Sequence, residues 1–393
     1  MERKHVLIFI VSILVVACVS SLCTAAIVNN SVNEKIHDAV KKEKDYYSDI
    51  LSGIDSFLEV KDYVDNNFVG EADYEKIDEL LANYYVDLIE DKYSDYYTTE
   101  EYKSYMNKLT ASFVGIGIAC GEKDGKIHIE EVIKGSPAEE AGLLAGENIV
   151  AVGDIEVNEE NYDEATAAVS GEKGTKVLLK VEDSLGNVRE IEVERREIVT
   201  ETIYSEMLEG DIGYIKITQF STNTADKFIK AVDELLASGA KGLLFDVRNN
   251  SGGELNSVVN ILDRILPQGP IVNIEYGTGA VETITSTDDK KITLPMAVLI
   301  NEKTASAAEL FASALRDYNL ASLYGTVTYG KGYMQRIVPL TNGAGLRLSI
   351  AKYNPPFGEN YEGVGVSPDV EVEDDASTEI DEQFEKAKNY FIK

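Results

Sequence analysis

Histidine and cysteine are scarce in this sequence, and positive charge is heavily outnumbered. The only histidines are His5, His37 and His128, all in the first third, and no H-E-x-x-H occurs. Of the three cysteines, Cys18 and Cys23 lie inside an apolar N-terminal run, which leaves Cys120 as the single thiol of the folded part. Neither an intrachain disulfide framework nor a cysteine-rich zinc site can be built from one thiol. Lys and Arg number 37 against 69 Asp and Glu, a formal net charge of −32. So acidic a surface repels phosphate backbones instead of releasing counterions from them, which argues against nucleic-acid binding. Glycine (30) and proline (8) are too few for a disordered or collagen-like chain. What remains is 393 residues, 44% of them apolar, enough for two or three domains with their own cores.

The N-terminus carries an address. From Val6 to Val28 there is no charged residue, and a helix of that length spans about 35 Å, slightly more than a bilayer's hydrocarbon core. Arg3 and Lys4 precede it, so the positive-inside rule keeps the tip in the cytoplasm and sends the rest outward. A cleaved signal ending near Thr24-Ala25-Ala26, or a lipoprotein signal at Cys18, are alternatives. The run is longer than a usual signal core, which favours an uncleaved anchor.

Residues 29–110 are rich in Asp, Glu, Lys and Tyr, with apolar residues spaced as in Ile54, Phe57, Leu58 and Ile77, Leu80, Leu81, which predicts amphipathic helices. Asp91 to Tyr97 breaks that pattern. From Ser112 short β-branched runs follow: Phe113–Ile118, Lys126–Ile133, Asn148–Val152, Val177–Val181 and Val188–Val193, separated by turn residues such as Asp124-Gly125. A short helix opens at Pro137 and stops at Gly142, and a second covers about Asn161 to Val169. After Val199 strands and helices alternate: 211–217, a helix Thr224–Ser238, 241–247, a helix Glu254–Ile265, a strand Met296–Asn301 and a helix Ser306–Tyr318. That alternation predicts an α/β layer. A hairpin joins Met334–Leu340 to Leu346–Tyr353, and a last helix aligns Ile380, Phe384, Ala387 and Phe391, a face suited to a core or a dimer surface.

A nucleophilic serine needs a base, an orienting group and donors for the oxyanion. Histidine is almost excluded as that base: His5 and His37 sit at the membrane end, and His128 alternates with Ile127 and Ile129, off the buried face. Lysine remains, provided that burial keeps it neutral. Ser306 falls after a strand and loop at the first turn of a helix, near the positive end of its dipole. Yet Ser306-Ala307-Ala308-Glu309 also fits the S-x-x-E capping box, so spacing leaves both readings open. Lys331 lies between Gly330 and Gly332, which admit close backbone approach or a plain solvated turn. Gly325 to Lys331 spells G-x-x-x-x-G-K, but Gly332 stands where Ser or Thr would hold magnesium and a strand follows instead of a helix, so nucleotide binding is not expected.

Together, T-A-S-A-A-E (304–309), G-T-V-T-Y-G-K-G-Y-M-Q (325–335), D-V-R-N-N-S-G-G (246–253), Y-N-P-P-F-G (353–358) and G-V-G-V-S-P-D (363–369) resemble the carboxy-terminal processing, or tail-specific, serine peptidases. The likeness runs in order from about Asp91 to Val372. Within it the β-rich unit, with F-V-G-I-G-I and G-S-P-A-E-E-A-G-L-L-A-G-E-N-I-V-A-V (135–152), resembles a PDZ domain. Small departures exist, with Ser251 where the family often has Pro or Gly and P-P-F-G for the usual P-x-G.

The resemblance implies a Ser-Lys-Gln site: Ser306 as nucleophile, Lys331 as general base and Gln335 orienting the lysine. It implies an oxyanion hole from the backbone N–H of Ala307 and of Gly252 or Gly253. The PDZ-like unit would bind a substrate's C-terminal tail, with backbone N–H groups of Val114, Gly115, Ile116 and Gly117 at the carboxylate, and control access to the site. No metal or organic cofactor is implied, and a homodimer through the terminal helices is.

The expected organisation is therefore 1–28 cytoplasmic tip and transmembrane anchor, 29–110 helical region, 111–197 PDZ domain, 198–375 α/β protease core and 376–393 C-terminal helix. The expected function is a membrane-anchored extracytoplasmic serine endopeptidase that cleaves protein or peptide substrates with free C-termini near those ends. The competing reading is a membrane-anchored PDZ scaffold with an inert core.

Overall fold

The computed structural model describes residues 54–70, 76–287, 292–373 and 380–392. The chain divides into two units, Met1–Ile77 and Asp78–Lys393. In the first, a helix covers 54–67, with Lys61 and Asp65 paired at 2.8 Å one turn apart. Among the described residues no helix is long and apolar enough to cross a membrane; the predicted span at 6–28 lies outside them.

The larger unit is built on a six-stranded sheet, in the order Ile203–Leu208, Ile212–Ile217, Gly242–Asp246, Met296–Ile300, Ala321–Gly325, Val370–Glu371. The first pair is antiparallel and the other pairs are parallel. Its two central strands, G-L-L-F-D and M-A-V-L-I, are buried along their whole length, as continuous apolar runs covered on both faces must be. The side-chain period of two splits them. Leu243, Phe245, Met296 and Val298 face a core shared with helices Thr224–Ala237, Leu255–Ile265 and Ala307–Asp317, while Leu244, Ala297 and Leu299 face helix Glu382–Lys388. Phe228, Phe245 and Phe311 meet at ring separations of 5.4 to 6.3 Å, each side chain contributing about 1.5–3 kcal/mol by burial. The last helix spends its apolar face, Phe384 and Ala387, on the chain's own sheet, whereas Ile380 is exposed.

A second, antiparallel sheet runs Asp95–Tyr97, Gly345–Asn354, Pro270–Tyr276, Val281–Thr285, with Tyr333–Pro339 also paired to Gly345–Asn354. The stretch that broke the helical pattern near Asp95 is thus an edge strand, paired to residues far along the chain.

The β-rich unit has its own core and a sheet in the order Ile118–Lys123, Lys126–Val132, Asn148–Val152, Lys176–Glu182, Val188–Glu194. The run expected as one strand over Phe113–Ile118 is two. Ser112–Gly115 pairs with Arg196–Val199, and Ile118–Lys123 starts afresh after Gly117. At φ +87°, a conformation that favours glycine, Gly117 turns the chain between them. Ile118–Lys123 is left as a sheet edge with one partner.

Candidate active site

Three parallel strands, Gly242–Asp246, Met296–Ile300 and Ala321–Gly325, release their loops at the same edge, where α/β sheets place their ligands. Buried polar side chains lock these loops together. Thr304 Oγ1 donates to the Val247 carbonyl at 2.9 Å, Asn249 N–H donates to Asn301 Oδ1 at 2.9 Å, and Ala305 N–H donates to the Asn250 carbonyl at 2.9 Å. Asn250, fully buried, donates from Nδ2 to the Ile217 carbonyl at 2.8 Å. Satisfied in this way, buried amides and hydroxyls specify loop positions where unpaired ones would destabilise the fold.

Ser306 sits at the strand-to-helix turn with φ +58° and ψ −121°, a backbone state that L-residues rarely adopt. Such strain persists where surrounding contacts over-determine it, as at exposed nucleophiles on sharp strand–helix turns. The S-x-x-E spacing serves the start of the helix: Ser306 N–H donates to Glu309 Oε2 at 2.7 Å, and Glu309 N–H donates to the Ser306 carbonyl at 2.9 Å. The serine hydroxyl lies beside the Tyr353 phenol.

Glu309 does more than cap. Its side chain is fully buried, and besides Ser306 it accepts from Gly330 N–H at 2.7 Å, from Lys331 N–H at 2.8 Å and from the Thr328 hydroxyl. One carboxylate therefore staples the serine loop to the lysine loop. Burial pushes its carboxyl above the ordinary range, and the four donors oppose that rise. Sequence spacing exposes only the local half of this role.

Lys331 is half-buried, and among the described residues it makes no ion pair. Burial, followed by repulsion from Arg347, lowers its pKa to about 8, while Glu362, Asp91 and Glu309 act in the other direction. A lysine so placed is a proton acceptor near neutral pH. The Tyr353 hydroxyl donates to the Lys331 carbonyl at 2.8 Å and fixes the backbone behind it.

A cleft of about 750 Å³ is lined by Ser306, Ala307, Lys331, Gln335, Gly252 and Gly253 together. Two of these residues have other partners. Gln335 makes no hydrogen bond to Lys331: a bulge between Met334 and Gln335 shifts the register, and Nε2 donates to the Tyr333 carbonyl at 2.8 Å and to Ser349 Oγ at 3.3 Å. Gly252 N–H is already bound to Asn250 Oδ1 at 2.8 Å, whereas the N–H groups of Gly253 and Ala307 meet no acceptor among the described residues.

The PDZ residues lie outside this cleft. Val114 and Gly115 belong to the strand paired with Arg196–Val199. The N–H groups of Ile116 and Gly117 are those that meet no acceptor among the described residues. His128 is half-buried, its Nδ1 2.7 Å from Asn148 Oδ1. Among the described residues no group of three or more His, Cys, Asp or Glu is arranged to hold a metal.

Residues 211–372 match the profile of peptidase family S41, and residues 128–183 that of the PDZ domain. The carboxy-terminal processing protease CtpA of Bacillus subtilis (strain 168) is 35% identical over 375 residues, covering 95% of this chain and 78% of that protein. The carboxyl-terminal-processing protease of a Picosynechococcus species is 33% identical over 303 residues, covering 75% of this chain and 72% of that protein. The crystal structure of an S41 protease from Bacteroides fragilis NCTC 9343 shares the fold, with a TM-score of 0.50 at 19% identity over 78% of this chain and 86% of that one.

Proposed function

The chain belongs to peptidase family S41, among the carboxy-terminal processing serine peptidases, and from that premise we propose that Ser306 and Lys331 carry its peptide-bond cleavage. Lys331 Nζ, neutral above its lowered pKa, takes the Ser306 proton as Oγ attacks the scissile carbonyl. Ala307 and Gly253 N–H groups, both without an acceptor, hold the oxyanion. The Lys331 ammonium then protonates the leaving amine, and an acyl-serine remains until water, activated by the same amine, releases it. Gln335 lines the cleft beside them and shapes it from the strand Tyr333–Pro339.

The PDZ domain's share is recognition. The open edge Ile118–Lys123 accepts a substrate tail as an added strand, with the terminal carboxylate at the Ile116 and Gly117 N–H groups. Bound tails control access to the cleft, so proteins are cut near their C-termini. The apolar run at 6–28 anchors the chain with its catalytic part outside the cytoplasm, and the protein works as a homodimer.

The observation that carries the catalytic assignment is a half-buried lysine, without an ion pair among the described residues, lining one cleft with a serine held at a strained strand-to-helix turn. Incubating the purified chain with an unfolded protein, and with a peptide bearing a free apolar C-terminus, tests it. The native chain is expected to cleave both, and Ser306→Ala and Lys331→Ala neither. Equal cleavage by all three proteins ends the assignment.

A further inference from the structure

The Lys331 side chain has a neighbour from far along the chain. Tyr93, in the segment between helix Ile77–Asp87 and strand Asp95–Tyr97, is 6% exposed, and Lys331 Nζ stands 5.0 Å from its ring centroid. That lies within the reach of a cation–π contact. The ring is itself fixed: its hydroxyl donates to Glu362 Oε1 at 2.9 Å, and Glu362 Oε2 accepts from Gly332 N–H, next to Lys331, at 2.8 Å. Glu362 also pairs with Lys92 at 3.2 Å. A closed loop of contacts thus runs from Lys331 through Tyr93 and Glu362 back to the lysine's own neighbour.

The groups facing Lys331 are Arg347, which repels an ammonium; Glu362, Asp91 and Glu309, which attract it without pairing with it; and the phenols Tyr93 and Tyr353, with the exposed Lys92 ammonium 4.6 Å from the same Tyr93 ring. When Nζ accepts the Ser306 proton, the new positive charge therefore has no carboxylate within ion-pair distance. The negative face of an aromatic ring is what meets it.

We propose that Tyr93, anchored by Glu362, is the positioning residue of the base: its ring holds Lys331 Nζ in the cleft and stabilises the ammonium formed as the Ser306 proton is transferred. The proposal rests on the Ser306–Lys331 reading. It assigns to the segment before strand Asp95–Tyr97 a direct share in the site.

The test is the pH profile of kcat/KM for peptide cleavage by the full chain. Activity rises as the amine loses its proton, so the native acidic limb is expected near pH 8. Tyr93→Phe keeps the ring and is expected to keep both the limb and most of the rate. Replacing that phenylalanine by mono-, di- and trifluorinated analogues drains the ring face without changing its shape. The limb should then move to lower pH in steps and the plateau should fall, by about tenfold at the end of the series, equivalent to about 1.4 kcal/mol. A limb and plateau indifferent to fluorination, or an inactive Tyr93→Phe, overturns the proposal. Ser306→Ala, run alongside, separates this failure from that of the underlying reading, which falls only if the alanine variant still cleaves.

Discussion

The PDZ domain and the protease core each bury a glutamate, and use it differently. Glu147 in the PDZ domain faces Arg189, whose guanidinium donates to its two oxygens at 2.6 and 2.8 Å, and it accepts from Leu144 N–H at 3.0 Å. That charge is neutralised within one domain, and the pair staples a turn to a strand. Glu309 has no cation paired with it among the described residues; backbone dipoles and one hydroxyl, drawn from the loops that carry Ser306 and Lys331, take its place. A buried carboxylate held by donors from several segments fixes their relative positions, because each donor left behind would be buried and unpaired. The first arrangement stabilises a fold; the second assembles a site.

Removing both carboxylates should therefore give unlike results. Glu309→Ala strands four donors at the meeting of two loops, with an expected loss of about 3–5 kcal/mol and of all cleavage. Glu147→Ala is expected to lower the unfolding midpoint of the PDZ domain while the cleft still cuts short peptides. Urea unfolding followed together with peptide cleavage reads both effects. Should Glu309→Ala cleave at the native rate, the carboxylate is not what holds the two loops.

The comparison sharpens at Lys331, where the core gives up stability for chemistry. Its folded pKa of about 8 lies below the ordinary lysine value of 10.5, so between those values the unfolded chain binds more protons and stability rises with pH. Below pH 8 the fold bears the whole penalty, at most about 3 kcal/mol. Lys331→Met should abolish cleavage and yet raise the melting temperature at pH 7, with the gain fading as pH approaches 10.5. A variant that is no more stable than the native chain at pH 7 would mean that the amine is solvated.

How much of this was legible in the sequence follows the range of the interactions. The strands Gly242–Asp246 and Met296–Ile300 stand out because double-sided burial writes continuous apolar runs. Ser306 and Lys331 are legible only through the likeness of several segments to one family, since each loop by itself reads equally as a helix cap or a solvated turn. The second role of Glu309 is not legible, since its partners at 330 and 331 lie across a strand and are set by the parallel register, not by spacing. Tyr93 was hidden for the same reason, in a stretch that only broke a helical pattern. Strands Ile203–Leu208, Pro270–Tyr276 and Ala321–Gly325 went unread; the first pairs with the strand directly after it, the second with its hairpin partner and with Gly345–Asn354, and the third with Met296–Ile300 across a helix. The bulge between Met334 and Gln335 is likewise nothing that periodicity can foresee.

The mildest way to pull the two regions apart is one methyl group in each. A Cβ on Gly252 would lie 2.7 Å from Ser306 Cβ and 2.8 Å from the Ala305 carbonyl oxygen, in a backbone at φ +100°. A Cβ on Gly117 would lie 2.3 Å from Ser136 Cβ, at φ +87°, beside the N–H groups assigned to the tail carboxylate. Either substitution combines steric overlap with backbone strain of about 1–3 kcal/mol, too little by itself to unfold a domain of ordinary stability. Gly252→Ala should cut kcat on every substrate by displacing the nucleophile. Gly117→Ala should leave kcat for short amidated peptides near native and raise KM for proteins with free C-termini. Kinetics on these two substrate classes suffice to check it. If both variants lose the two activities in parallel, recognition and cleavage are not divided between the domains.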